Sequence, residues 1–206
     1  EKKKKLILLA IFLTTFAFAQ FESTLSLLTQ ELGFAARSNF FIFAYIGFIL
    51  TLSQGFLVRR LIPRLGEYRM GLIGIVLMVI GLLLIGVAGN SGSYTMLYAV
   101  LPISVIGFSA TTPSLQSLLS LNTSDAEQGG ILGVGQSISA LARILGPLAG
   151  IILFKGTKGD LITGSITAPY WVGAGIMLLG LILMTILKSG STDTEAEPEI
   201  SSPAET

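Results

Sequence analysis

Six apolar stretches run along the chain, near residues 6–30, 38–57, 70–89, 94–121, 129–154 and 168–187. Each is long enough to cross a bilayer as a helix, since roughly 30 Å of hydrocarbon takes about 20 residues. The third and the sixth carry no polar residue in their middle. Residues 70–89 are aliphatic side chains, methionine and glycine throughout, and residues 171–184, WVGAGIMLLGLILM, are equally bare. The other four each carry a polar stripe. A helix apolar on all sides can sit against lipid, whereas a striped one must turn its polar face to protein or water. The order striped, striped, bare, striped, striped, bare therefore predicts three helices used twice around something hydrophilic. The fold class expected is an all-α membrane protein, six transmembrane helices as a 3+3 repeat.

Composition agrees with that pattern. The chain is 51% hydrophobic and 12% charged, with a mean hydropathy of +0.78, which excludes an ordinary soluble domain. Six spans use most of the 206 residues, leaving no room for a soluble catalytic domain. Cysteine and histidine are both absent, so thiolate nucleophiles and histidine-based metal sites or proton relays are excluded. No cofactor and no nucleic acid partner is called for. The glycine pairs Gly129-xxx-Gly133 and Gly146-xxx-Gly150 fit close packing of membrane helices.

Lysine and arginine gather on alternate connections. Lys2, Lys3, Lys4, Lys5, Arg59, Arg60, Arg64, Arg69 and Lys188 fall on one side, and Arg37, Lys155 and Lys158 on the other. By the positive-inside rule both termini are cytoplasmic, in a cell or inner membrane. The lysine-rich start, the apolar run after it and Ala17-Phe18-Ala19 also fit a secretory signal. Apolar residues nevertheless continue at helical spacing as far as Gln30, as in one uninterrupted span. A first residue other than methionine makes the chain read as a piece of something longer. Residues 189–206, rich in Ser, Thr, Glu and Pro, read as a disordered acidic tail.

The polar stripes supply the candidate site. The first span carries Thr15, Glu22, Ser26 and Thr29 on one face, and the second offers Thr51 and Gln54 with Tyr45 nearby. The fourth carries Ser109, Thr112, Gln116 and Ser120; the fifth carries Gln136, Ser139 and Arg143. Any single Ser or Thr can be explained by a bond back to its own helix. That explanation does not account for four helices having such faces and two having none.

Glu22 and Arg143 are charged deep in the membrane, where an unpaired charge costs several kcal/mol and a functional role is the default reading. Counting from the cytoplasmic ends of their spans, Glu22 lies roughly 24 Å in and Arg143 roughly 21 Å in. At that similar depth they can form an ion pair or share a water-filled cavity. A pair would carry a Coulomb term of roughly 4 kcal/mol at an effective dielectric of about 20, before desolvation, and would brace one conformation. A carboxyl alone in an apolar pocket would instead bind and release a proton.

The stretch from Gln54 to Glu67, QGFLVRRLIPRLGE, resembles a loop motif of the major facilitator superfamily. There a glycine at a helix end, here Gly55, is followed by basic residues, here Arg59 and Arg60, and by an Arg-x-Gly turn, here Arg64 to Gly66. The aspartate of the better-preserved copy is missing, with Arg59 and Arg60 around its place. Residues 112–117 (TPSLQS), 127–129 (EQG), Gly133, Gly135-Gln136, Ser139 and 142–147 (ARILGP) are similar to helices ten and eleven of the drug:proton antiporter, tetracycline-resistance-like branch. Residues 21–25, FESTL, resemble the middle of helix seven there.

The resemblance reaches residue 187 and implies the C-terminal six-helix half, helices seven to twelve, of a twelve-helix fold. It implies that helices seven, eight, ten and eleven surround the cavity while nine and twelve face outward. It also implies a missing N-terminal six-helix half, a small-molecule substrate and protons as partners besides the bilayer, and a cytoplasmic latch at Arg59–Arg69. Gly146-Pro147 would bend the fifth span. The function expected is secondary active transport, with proton-coupled export of small amphipathic molecules by alternating access. The alternative is a non-transporting six-helix membrane subunit or truncated copy that binds a partner. An intramembrane enzyme would need a paired acid and base at depth, and the spans offer one carboxylate.

Overall fold

A computed structural model describes residues 1–157 and 164–192, and every regular element among them is helical. Helix α1 (Lys2–Glu31) is followed by α2 (Ala36–Leu52), which continues through a π-helical turn, Ser53–Val58, into α3 (Arg59–Leu65). Then come α4 (Glu67–Ser91), α5 (Tyr94–Leu121), α6 (Gln128–Lys155) and α7 (Ala168–Thr192). Six helical runs are long and apolar enough to cross a membrane, with α2, the π turn and α3 forming one of them, Arg37–Leu65.

Two boundaries differ from the sequence reading. The second span does not stop near residue 57, and Gly55 does not end a helix; it lies inside the π turn. A side chain at Gly55 would meet nothing within 4 Å, and the helix simply carries on to Leu65. The chain turns instead at Gly66, whose φ of +78° is a conformation that residues with a Cβ adopt at a cost. At the other end α7 runs past residue 187 to Thr192. The rest of the acidic stretch, residues 193–206, lies outside the described residues, as does Lys158.

Packing follows the threefold unit used twice. α1, opening the first unit, packs on α6 and α7; α5, opening the second, packs on α2 and α4. The two bare helices, α4 and α7, pack against each other. Their outward faces expose Ile73, Val76, Ile80 and Val87 on α4 and Leu178, Leu179, Ile182 and Ile186 on α7; the exposed Thr185 among the latter turns its hydroxyl back onto Ile182 O, which leaves a surface suited to lipid. Glycine sets the closest seams. A Cβ on Gly107 of α5 would stand 2.7 Å from the Gly74 carbonyl of α4, and one on Gly81 would stand 2.5 Å from the Ser104 nitrogen. Gly146 and Gly150 let α6 down onto α1, with Phe16 O 2.8 Å and Gln20 Cγ 3.0 Å from the missing Cβ atoms. Gly129 and Gly133 face open space, and that pair packs against nothing among the described residues.

The ends are tied separately. Lys4 Nζ meets Glu127 Oε2 at 2.9 Å, joining the start of α1 to the turn before α6. At the opposite end the Tyr94 hydroxyl donates to Leu32 O, and Thr167 Oγ1 donates to Asn90 Oδ1.

Candidate functional site: a polar cavity between four striped helices

Thr15, Phe18, Ala19 and Glu22 lie three, one and three residues apart on α1, a spacing that puts them on one side of a helix. With Leu50 and Gln54 of the second span, Phe108 of α5 and Arg143 of α6 they line a cavity of about 240 Å³. Phe18 and Phe108 stack at 3.7 Å between centroids, 7° from parallel, and give the cavity an apolar wall. Glu22 and Arg143 are exposed on its open side and form no salt bridge with each other. Both line this one cavity.

Gln54 also lines a second cavity, of about 470 Å³, with Val58, Arg59, Ile62, Thr112, Pro113 and Gln116. It stands in the wall common to both because it sits in the π turn, where an extra residue widens the helix. Pro147 falls inside α6, which continues helically past it. Its ring nitrogen cannot donate to the carbonyl four residues back, which belongs to Arg143.

The other candidates are placed elsewhere. Ser26 Oγ accepts from Asn39 Nδ2 at 2.8 Å and Thr29 donates to Asn39 Oδ1 at 3.0 Å, a clasp between α1 and α2. Tyr45 packs beside Tyr98, with 5.9 Å between ring centroids. Thr51 and Ser139 bond back to the carbonyls of Gly47 and Gly135 at 2.8 and 3.0 Å. Ser109 is buried, donating to Ile106 O and paired with Ser53 of the π turn. Gln136 is exposed on α6, and Arg64 is exposed before the Gly66 turn.

Sequence reasoning missed Gln20. It is buried on α1, its Nε2 donates to the carbonyl of Pro169 at the start of α7, and its main-chain carbonyl accepts from Thr24 Oγ1 at 2.8 Å. Gln20 and Glu22 point to nearly opposite sides of the helix, so a search along the Glu22 stripe passes it by. The available signal was a glutamine among small and aromatic residues, an amide that must find a partner once buried.

The sequence profile described as Major Facilitator Superfamily matches residues 2–147 and, in a second alignment, 64–206. The chain belongs to the major facilitator superfamily. This family's members are membrane transporters rather than enzymes, and the six apolar helices make this chain a multi-pass membrane protein. It is 27% identical to multidrug resistance protein 2 of Bacillus subtilis (strain 168) over 187 residues, covering 90% of this chain and 44% of that protein. To the class D tetracycline resistance protein of Salmonella ordonez it is 31% identical over 183 residues, covering 88% and 44%. To human major facilitator superfamily domain-containing protein 10 it is 31% identical over 196 residues, covering 92% and 39%. The chain thus spans less than half the length of each of these relatives.

Proposed function

We propose that the chain is the C-terminal half of a secondary active transporter that exports small amphipathic molecules in exchange for protons. The observation that carries this reading is the 240 Å³ cavity, which Glu22, Arg143, Gln54 and Thr15 line beside the stacked rings of Phe18 and Phe108. A cavity with one carboxylate, one guanidinium, an amide and apolar walls suits a molecule that is partly polar and partly greasy. Glu22 is the proton carrier: protonation would remove its charge and change what Arg143 and a substrate see. Two of the relatives bear names of drug or tetracycline resistance, which supports export as the direction. In this reading a second six-helix half covers the open side of the cavity, the two halves rock about it, and both termini lie in the cytoplasm of a cell whose plasma or inner membrane holds the protein.

Substrate-driven proton movement in proteoliposomes tests the proposal, using the full-length protein and its Glu22→Gln variant. The parent is expected to move protons when substrate is added. The variant is expected to bind substrate and move none. Equal proton movement in both would remove Glu22 from the coupling role.

A further inference from the structure

The second cavity, beside Arg59, carries one kind of charge. Arg59 is the one ionisable side chain among the described residues that line it, and Gln54, Gln116 and Thr112 stand around it with amide and hydroxyl groups. Arg59 and its neighbour Arg60 part company: the Arg60 guanidinium lies over the Phe56 ring, 5.7 Å from its centroid, while Arg59 lines the cavity. Neither salt bridge found among the described residues involves Arg59. Glu67, the acid that opens α4, accepts a bond from Ser117 Oγ at 3.3 Å.

Thr112 adds a second, independent feature. Its neighbours Thr111 and Ser114 close their hydroxyls onto carbonyls four residues back, at 2.8 and 2.7 Å. The Thr112 Oγ1 does not; it is buried with no hydrogen-bond partner among the described residues. A buried hydroxyl without an acceptor, a guanidinium with no salt bridge among the described residues and two amides, with no carboxylate in the lining, make a donor-rich pocket. Such a set matches the in-plane lone pairs of an oxyanion.

We propose that this second cavity binds the oxyanion, carboxylate or phosphate, of a small molecule, held by Arg59 with Thr112, Gln54 and Gln116 donating. That this group belongs to the transported molecule rests on the transport reading above; the binding itself does not.

The chain has no cysteine, so Ile62→Cys at the cavity wall gives a single labelling site once any cysteine outside this chain is removed from the full-length protein. Labelling by a water-soluble maleimide is measured with salicylate, inorganic phosphate, or the neutral analogue salicylamide present. Salicylate or phosphate is expected to slow labelling, and salicylamide to leave it unchanged. Arg59→Gln is expected to raise the half-protecting anion concentration about tenfold or more, with Arg59→Lys recovering part of the loss. Thr112→Val, which keeps the side chain's shape, is expected to weaken protection several-fold and serves where Arg59→Gln fails to fold. Glu22→Gln is expected to leave protection intact, so loss of proton coupling and loss of oxyanion binding read out separately. Equal protection by salicylamide, or protection unaltered in both Arg59→Gln and Thr112→Val, would overturn the assignment. So would a thiol shielded before any anion is added and released by Arg59→Gln, since an acidic protein segment would then fill the cavity.

Discussion

Glu22 and Arg143 differ from the polar residues near them in what their own helices can offer. A serine or threonine hydroxyl reaches a carbonyl one turn back, and Thr51 and Ser139 do so. A carboxylate finds no donor there, and a guanidinium has more donors than one carbonyl can satisfy. Both therefore go to the cavity, and their chemistry made them legible in sequence. The smaller polar residues were legible only as a group: Ser26, Ser109 and Ser139 share stripes with cavity residues but are used for clasps and back-bonds, a choice that depends on the neighbouring helix. At this scale Glu127 gives a pH dependence. The Lys4 ammonium, first by its hydrogen bond and then by its charge, holds the Glu127 carboxyl below its ordinary value of 4.5. A carboxyl depressed on folding contributes stability that is present above the ordinary value and lost as pH falls through the folded one. The thermal midpoint is expected to lose a small contribution below about pH 4.5, and Lys4→Gln to abolish that part of the fall. Identical acid limbs in melting curves of parent and variant would count against the pair.

Helix packing was partly legible. The bare third and sixth stretches announced α4 and α7 as the helices with apolar outer faces. The glycine pairs did not announce which of them would touch anything, because spacing marks a face and not the helix opposite it. Gly150 meets Gln20 and Thr24 across the α1–α6 seam, while Gly133 meets nothing among the described residues. Gly150→Val is therefore expected to destabilise the bundle by about 1–3 kcal/mol through overpacking, and Gly133→Ala to leave it nearly unchanged. Thermal melts in detergent decide this, and equal midpoints for the two variants would contradict the seam. The π turn was not legible at all. Residues 53–58 suggested a helix end at Gly55, yet the hydrogen-bond register shifts without a break, placing Ser53 against Ser109 and Gln54 between the two cavities.

Across the whole molecule, burial is uneven in a way that composition does not explain. In the most apolar window of α1, α4 and α5, 56% of residues are buried, against 22% in the second span and 28% in α6. The two least buried spans are striped ones, and they flank the open side of the Glu22–Arg143 cavity. Phe48 and Leu52 on α2 and Leu141, Ile144 and Leu148 on α6 stand exposed there or beside it. In the proposed reading, a second six-helix half set against these faces would bury them and close the cavity. The most direct measurement is the side-dependent reactivity of Leu50→Cys, at the cavity wall, in the full-length protein with no other cysteine. Impermeant thiol reagents are added from one face of the membrane or the other, with and without substrate. Reactivity that moves from one face to the other when substrate or a proton gradient is supplied is the expected result. Reactivity from one face only, unchanged by either, would contradict alternating access and favour a non-transporting subunit.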